Sequence, residues 1–142
     1  MRALIVAILM LSLASSLEQY PNLKTQVGQP CASSGYTKIV SFDVEPWPPV
    51  ISEGSTITIK AEFTKPNTGV RDITIGTLVN FQTWTYQYFD VGQMFPQNSI
   101  QTFQYDIFAP NSIGNYVIQV TINGVDIPPT IDACWAYSFS FS

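Results

Sequence analysis

The feature that most constrains the fold of this chain is the alternation of apolar and polar residues in successive short segments after residue 37. Alternation of this kind has the two-residue period of a β-strand that buries one of its faces. No segment sustains apolar residues at the three- and four-residue spacing of an amphipathic helix. Seven or eight such segments, separated by regular turn signals, predict an all-β sandwich or barrel.

The alternation assigns an inward face to each predicted strand. Gly76 lies inside one of these strands, which predicts a bulge or a close approach by another backbone or a ligand. Asn123 and Gly124 form a dipeptide typical of tight turns. In the aromatic-rich segment WTYQYFDV, the side chains of Trp84, Tyr86 and Tyr88 share one face. The residues predicted to point inward are Val40, Phe42, Val44, Ile57, Ile59, Ala61, Phe63, Ile73, Ile75, Val79, Phe81, Phe103, Tyr105, Ile107, Tyr116, Ile118, Val120, Ile122, Trp135, Tyr137, Phe139 and Phe141.

The first residues of the chain have the pattern of a secretory signal peptide. A single positive charge precedes an apolar run that is too short to span a bilayer, and small residues follow it. Cleavage is expected after Ala14 or Ser16, so residues 1–16 are assigned to the signal peptide. Residues 17–30 are expected to form an extended segment, and residues 31–142 the folded domain. We therefore expect a protein that is secreted or resides in the endolysosomal or vacuolar lumen.

The two cysteines of the chain, Cys31 and Cys134, lie near opposite ends of the expected domain. Because there are only two, only one intramolecular pairing is possible. An oxidising secretory compartment would preserve that pairing as a disulfide. Closing a loop of about 100 residues stabilises a fold by roughly 4 to 5 kcal/mol, by the chain-entropy argument.

The residue types that are missing argue against catalysis. The chain has no histidine, so it has neither the Ser-His nor the Cys-His dyad of nucleophilic enzymes and no imidazole ligand for a metal. Its ten acidic residues could supply the carboxylate pair of a glycoside hydrolase. They mostly occupy outward or turn positions, however, where solvated surface charge is the simpler interpretation. We expect no enzymatic activity, no cofactor and no metal site.

Net charge argues against two further classes of partner. Without the signal peptide, the basic residues remain fewer than the ten acidic ones, whereas binding of nucleic acid requires clustered Lys and Arg. The same deficit argues against strong attraction to anionic membranes. The basic residues that remain are Lys24, Lys38, Lys60, Lys65 and Arg71.

Four features, taken in chain order, resemble the ML family of lipid-recognition domains. A signal peptide and a short lead precede Cys31. The segment KIVSFDVEPWPPVISEGSTITIKAEFT, residues 38–64, resembles the two opening strands of that family and the proline-rich link between them. FAPNSIGNYVIQVTI, residues 108–122, resembles the entry into the penultimate strand. DACWAYSFSFS, residues 132–142, resembles the ending, in which a cysteine opens the last strand. The resemblance covers residues 31–142.

The resemblance implies an immunoglobulin-like two-sheet β-sandwich with an apolar cavity between the sheets. It also implies that Cys31 and Cys134 pair, because the first and last cysteines pair in that family. The implied ligand is a lipid, either a sterol, a fatty acid or a phospholipid. It would be carried by a monomer that makes transient contact with donor and acceptor membranes. The chain departs from many members of the family because it lacks further internal disulfides.

The aromatic rings on the inward faces permit two interpretations from the residues alone: they fill a solid core, or they hold the sheets apart and line a cavity. The resemblance favours the cavity. The residues predicted to line it are Phe63, Ile75, Val79, Phe81, Phe103, Tyr105, Ile118, Val120, Trp135, Tyr137 and Phe139. A polar rim that orients the lipid headgroup is predicted at Lys60, Lys65, Arg71, Tyr86 and Tyr88.

The same sequence also permits an alternative function. A secreted sandwich with a solid core would act through its surface, as a carbohydrate- or protein-binding adhesion module. Trp47, Trp84 and Tyr88 would then form a flat outward platform, whereas inward and widely spaced rings would indicate lipid binding. Trp47, in the link EPWPP, fits either an exposed position at the mouth of a cavity or a packed position within the link.

Overall fold

The structure is a computed structural model that describes residues 28–32, 35–108 and 110–142. The expected signal peptide, residues 1–16, and residues 17–27 of the expected extended segment lie outside the described residues. The described part contains strands, turns and loops and no helix, which confirms the all-β prediction. Accordingly, it contains no helix with the length and apolar character needed to cross a membrane. The strands are β1 (Gln29–Pro30), β2 (Thr37–Glu45), β3 (Ser55–Phe63), β4 (Thr68–Val79), β5 (Thr83–Phe95), β6 (Ile100–Ile107), β7 (Gly114–Gly124) and β8 (Ile131–Phe141).

These strands form two antiparallel sheets that pack face to face. The large sheet has the strand order β1-β8-β7-β4-β5, and the small sheet has the order β2-β3-β6. Aromatic rings join the two inner faces. Phe42 of the small sheet stacks on Trp135 of the large sheet with ring centroids 5.5 Å apart, and Phe63 stacks on Phe95 at 4.7 Å. The predicted two-sheet β-sandwich is confirmed.

The core follows the alternation of the sequence. In β3, Ile57 and Phe63 are fully buried between the sheets, while the intervening polar residues are half-buried on the outer face. In the large sheet, Ile75 pairs with Val120, and Val120 pairs with Trp135, so that inward residues form continuous rows across the strands. Burial of each large apolar side chain contributes about 1.5 to 3 kcal/mol, which makes these rows the main source of stability.

A disulfide ties the start of the described domain to its last strand. Cys31 and Cys134 are bonded to each other, and the Cys31 N–H donates to the carbonyl of Cys134 at 3.0 Å. The two cysteines are 103 residues apart, so the bridge encloses nearly the whole sandwich. The predicted pairing is confirmed.

Two predictions from the local pattern are wrong. Val40, predicted to point inward, is only half-buried, because a register shift in the pairing of β2 with β3 brings Ile39 into the inward position. Asn123 and Gly124 do not form a tight turn, because they continue β7 to its last residue and pair with β4. The connection to β8 follows them at residues 125–130.

Phe81, predicted to line the cavity, lies instead in the turn that joins β4 to β5 and is 71% exposed. Asn80 and Phe81 have positive φ angles of 50° and 58°, and the Gln82 N–H donates to the carbonyl of Val79 at 3.0 Å. These are features of a type I′ β-turn over residues 79–82, within a connection of three residues, because Val79 pairs with Thr83. The strand therefore ends at Val79, and the inward assignment of Phe81 is wrong.

The end of the sandwich at which β4 ends and β5 begins is called the second end. The β2–β3 loop (residues 46–54), the β4–β5 turn (residues 80–82) and the β6–β7 loop (residues 108–113) lie there. Tyr105, two residues before the end of β6, stacks on Phe89 of β5 with ring centroids 4.2 Å apart. Beyond that contact, the inner positions of β4 and β5 face the β6–β7 loop instead of a strand of the small sheet.

Candidate functional site

A pocket of about 300 Å³ lies at the second end, between the inner face of the large sheet and the β6–β7 loop. We call it the mouth pocket. Small side chains create its space, because Thr77 and Thr85 pair across β4 and β5 where the core elsewhere carries larger apolar groups. The mouth pocket is lined by Thr77, Val79, Thr85, Tyr86, Gln87, Phe108, Pro110, Asn111, Ser112 and Tyr116.

Hydrogen bonds hold the β6–β7 loop over the mouth pocket. The Tyr116 hydroxyl donates to the carbonyl of Ser112 at 2.7 Å, and the Phe108 N–H donates to Oε1 of Gln87 at 3.2 Å. These are isolated contacts and not a continuous strand ladder. Segments attached in this way open at a lower free energy than core strands do, so the loop is suited to admit a ligand between the sheets.

A second pocket, of about 490 Å³, lies beside β8 and is called the edge pocket. Trp47 from the β2–β3 loop forms one wall, and its ring packs edge-on against Tyr137 with centroids 5.9 Å apart. Trp47 is half-buried and packed against the core, so the packed position is the one it occupies. The other lining residues are Gly28, Gln29, Val117, Ala136 and Ser138.

The hydroxyl of Tyr137 is buried without a hydrogen-bond partner in the described part of the chain. The residue is 4% exposed, and the rings of Phe42, Trp47 and Phe139 lie within 6.1 Å of its own ring. Burial raises the pKa of this hydroxyl above its usual value of 10.0, so it stays a protonated donor at neutral pH. Buried polar groups nearly always have partners, so this hydroxyl is a candidate donor to a bound molecule; the hydroxyl of Thr37, at the start of β2, is buried without a partner in the same way.

Rows of inner-face residues connect the two pockets. Thr77 of β4 pairs with Ile118 of β7, and Ile118 pairs with Tyr137 of β8. In the next row towards the second end, the rings of Tyr116 and Phe139 stack with centroids 5.4 Å apart. Ile118 and Tyr116 are 1% and 2% exposed, so these rows are packed in this structure, and an apolar chain could lie along them only after the side chains moved apart.

The residues predicted to line a cavity lie on the inner faces, with Phe81 as the exception. Val79 lines the mouth pocket and Tyr137 lines the edge pocket. At the opposite end, Phe63 and Phe103 pack around Phe95, and neither pocket extends there. The remaining predicted residues, Ile75, Tyr105, Ile118, Val120, Trp135 and Phe139, belong to the core cluster or pack against it.

The predicted rim residues do not form one polar lip. Lys60 lies on the outer face in the middle of the small sheet, and Lys65 lies in the β3–β4 turn, at the end opposite the mouth pocket. Arg71 forms an ion pair with its neighbouring aspartate at 3.0 Å. Tyr86 and Tyr88 lie on the outer face of the large sheet, and of these two only Tyr86 lines the mouth pocket.

Sequence reasoning missed the residues that keep the mouth pocket open. Thr77 lies midway between the inward residues Ile75 and Val79 at the two-residue spacing of a strand. The sequence therefore already indicated that a small polar residue interrupts the apolar face of β4. Thr85 and Gln87 gave no such signal, because their inward direction depends on their pairing with Thr77 and Ile75.

Three aromatic rings lie side by side on the outer face of β5, an edge strand of the large sheet. They are Trp84, Tyr86 and Tyr88, here called the aromatic row, and they are 36%, 53% and 66% exposed. Neighbouring ring centroids are 6.0 and 6.2 Å apart, and the first two ring planes are within 9° of parallel. A Cβ atom at Gly76 would lie 3.0 Å from the Tyr86 ring and 3.1 Å from the Trp84 ring. The close approach at Gly76 is therefore made by side chains and not by another backbone or a ligand, and the pairing of β4 has no register shift there, so the prediction is wrong in both of its forms.

No family model matches the chain, and no curated protein matches it. Within residues 28–32, 35–108 and 110–142, no three Cys, Asp or Glu side chains are grouped closely enough to hold a metal ion. The function is therefore inferred from the two pockets, the Tyr137 hydroxyl and the aromatic row.

Proposed function

We propose that the protein is an ML-type lipid carrier that holds a sterol, a fatty acid or a phospholipid between its sheets at the second end. The observation that carries the proposal is the unpartnered Tyr137 hydroxyl, buried among aromatic rings beside a pocket of about 490 Å³. Ligand pockets typically have volumes of about 300 to 1,000 Å³, with predominantly apolar walls and a few polar groups that fix orientation. In this proposal the Tyr137 hydroxyl would be such a group.

The aromatic inner face near the second end supports the apolar half of this proposal. Tyr116, Tyr137, Phe139 and Phe141 form a chain of rings on β7 and β8, with neighbouring centroids 5.3 to 6.1 Å apart. A hydrocarbon tail placed against these rings gains about 25 cal/mol for each square ångström of apolar surface removed from water. Tail burial would supply the affinity, and the tyrosine hydroxyl would supply the orientation.

The proposed mechanism is carriage, in which no covalent bond is made or broken. The β6–β7 loop opens, the tail enters along the rows between Thr77 and Tyr137, and a ligand oxygen accepts a hydrogen bond from the Tyr137 hydroxyl. A hydroxyl, an ester carbonyl or a carboxylate can serve as that acceptor. The scarcity of basic side chains disfavours a multiply phosphorylated headgroup.

The disulfide supports the proposed family and compartment. The bond between Cys31 and Cys134 agrees with the pairing of first and last cysteines that the ML resemblance implies. A disulfide persists in the oxidising environment of the secretory pathway. We propose that the protein acts outside the cell or in an endolysosomal or vacuolar lumen.

Replacing Tyr137 with phenylalanine tests the role of the buried hydroxyl. Removing an unpartnered buried polar group relieves a desolvation cost, so we expect the lipid-free variant to unfold with a free energy about 1 kcal/mol higher than that of the wild type. Lipid affinity should fall about fivefold to tenfold, because one hydrogen bond is lost from the complex. Chemical denaturation and titration with a fluorescent fatty acid measure the two effects.

The matched control for this experiment is Tyr88→Phe, which removes the same hydroxyl from a side chain that is 66% exposed. It should leave both quantities unchanged. A Tyr137→Phe variant with unchanged lipid affinity would show that the hydroxyl does not contact the ligand.

The aromatic row favours a second candidate function, binding of a carbohydrate on the outer face of the large sheet. Exposed, nearly parallel rings at Trp84 and Tyr86 offer a surface on which the apolar faces of pyranose rings can stack. The neighbouring outward residues Gln119 and Thr121 provide uncharged hydrogen-bonding groups beside the row.

Removing the first two rings of the aromatic row tests this second candidate. The variant Trp84→Ala/Tyr86→Ala should lose at least about tenfold in affinity for any oligosaccharide that quenches the tryptophan fluorescence of the wild type. The single variant Trp84→Ala should leave lipid loading unchanged, because Trp84 lies on the outer face and lines neither pocket. If no member of a panel of glucan, mannan and chitin oligosaccharides changes the fluorescence of the wild type, the carbohydrate function is contradicted.

A further inference from the structure

Five large apolar side chains are exposed on the loops and the turn of the second end, and we call them the apolar crown. Phe108 and Ile113 of the β6–β7 loop are 80% and 69% exposed, and Phe81 of the β4–β5 turn is 71% exposed. Val50 and Ile51 of the β2–β3 loop are 42% and 40% exposed. Apolar side chains grouped in this way, and not scattered singly, mark a site of interaction with a partner.

Hydrogen bonds join these connections into one surface. The Ser52 N–H donates to the carbonyl of Pro110 at 2.9 Å, which links the β2–β3 loop to the β6–β7 loop. The Asn80 N–H donates to the carbonyl of Asn115 at 2.7 Å, and the Asn115 N–H donates to Oδ1 of Asn80 at 2.9 Å. The β4–β5 turn is therefore fixed beside the start of β7, immediately after the β6–β7 loop.

The backbone at Phe81 indicates that this side chain serves something other than folding. Phe81 has a φ angle of 58°, in the left-handed region that bulky residues rarely adopt. Turns of the I′ class favour Asn-Gly, in which glycine adopts that conformation without strain. Here phenylalanine stands where glycine would be most stable, and its ring points into solvent instead of into the core. A strained residue with an exposed apolar ring is typical of a functional contact.

The charge of the second end identifies the kind of surface that it fits. Across residues 46–54, 80–82 and 108–113, Glu53 is the one charged residue. The described basic residues lie elsewhere: Lys38 and Lys60 on the small sheet, and Lys65 and Arg71 near the opposite end. A surface of exposed phenylalanine and aliphatic side chains without basic residues is suited to insertion into a membrane interface, but it gains nothing from anionic lipids.

We infer that the apolar crown docks the second end onto a neutral lipid surface, with the mouth pocket facing the membrane. Phe108 belongs both to the crown and to the lining of the mouth pocket, so docking would bring the membrane to the entrance of the pocket. A lipid tail could then pass between membrane and protein without crossing water. This inference deepens the proposed function and rests on it for the identity of the cargo.

The test measures binding of the full secreted chain to phosphatidylcholine vesicles by flotation. Phe81→Gly removes the ring and relaxes the turn, so the variant should fold at least as stably as the wild type. We expect its vesicle affinity to fall about tenfold, and that of Phe81→Gly/Ile113→Ser to fall about a hundredfold. The matched control is Ile127→Ser, because Ile127 is 97% exposed but lies at the opposite end, and its affinity should not change. Adding anionic phosphatidylserine should not strengthen wild-type binding.

The outcomes separate the docking inference from the proposed function. Vesicle binding that is unchanged in the double variant would overturn the docking inference, as would a wild-type chain that carries lipid but does not bind vesicles. A different result would be a wild-type dimer that dissociates in the double variant, with no change in vesicle binding. That result would identify the crown as a contact between copies of the chain and would also overturn the docking inference. Vesicle binding that depends on the crown, in a chain that carries no lipid, would support docking and contradict the carrier function.

Discussion

Replacing Thr77 with tryptophan is expected to abolish lipid loading while the protein stays folded. Thr77 lines the mouth pocket and begins the row that leads through Ile118 to Tyr137. An indole ring at this position would fill the space that the threonine leaves open, and it would block the path of the tail. We expect the fraction of protein with bound lipid to fall by at least about tenfold, equivalent to about 1.4 kcal/mol of binding free energy. Native mass spectrometry of the purified variant measures that fraction.

The folded state should tolerate the change at Thr77, because the new ring enters a pocket of about 300 Å³ and not a packed core. We expect a loss of less than about 2 kcal/mol in the free energy of unfolding. The control is Thr102→Trp, which places the same ring on the outer face of the small sheet, where Thr102 pairs with Lys60. A folded Thr77→Trp variant that carries as much lipid as the control would contradict the placement of the tail.

Removing the disulfide is expected to cause a large loss in the free energy of unfolding. The bridge closes a loop of 103 residues, and by the chain-entropy argument a loop of about 100 residues contributes roughly 4 to 5 kcal/mol. Whole domains unfold with only about 5 to 15 kcal/mol. The double variant Cys31→Ala/Cys134→Ala should therefore unfold at a much lower denaturant concentration than the wild type.

Equilibrium urea unfolding of the double variant and of the reduced wild type measures this loss twice, because both lack the bridge. The two should agree. A loss below about 1 kcal/mol in both would show that the bridge contributes little, and that the packing of β8 against its neighbours holds the last strand without it. Lipid loading at a temperature where the variant is folded should be retained, because neither cysteine lines a pocket.

The sequence predicted the strands well wherever burial dictates the pattern. In β3, alternation placed Ile57 and Phe63 inward, and both are fully buried, because a strand in the middle of a sheet has one face against the other sheet and one against solvent. The prediction failed at Val40, where a register shift in the pairing with β3 brings Ile39 inward. Register shifts depend on the partner strand, and a pattern within one segment does not contain that information.

Two further failures have a similar origin in contacts that are distant in the chain. Gly124 was a signal for a tight turn, but it lies where a Cβ atom would meet the side chains of Thr130 and Asp132. Phe81 matched the apolar alternation of β4 beyond Val79, although the strand had already ended in a turn. Glycine occurs both in tight turns and at close approaches, and phenylalanine occurs both in cores and on exposed turns. Only the contacts of the folded chain show which of these applies to Gly124 and to Phe81.

The candidate site was predictable in part. The inner-face residues and the apolar character of the interior followed from alternation. The position of the pockets at the second end could not be predicted from the alternation, because it depends on where the small sheet ends relative to the large sheet. The unpartnered hydroxyl of Tyr137 was also outside the reach of the sequence, since its isolation results from the rings of Phe42, Trp47 and Phe139 around it.

Native mass spectrometry of the protein purified from a secreting eukaryotic host would show whether this sandwich carries a lipid between its sheets. Extraction and identification of the bound molecules would accompany it. We expect a stoichiometric adduct with the mass of a sterol, a fatty acid or a phospholipid. A clean mass of the unliganded chain, with no uptake from vesicles that contain sterol and phospholipid, would contradict the carrier function and leave the aromatic row as the functional surface.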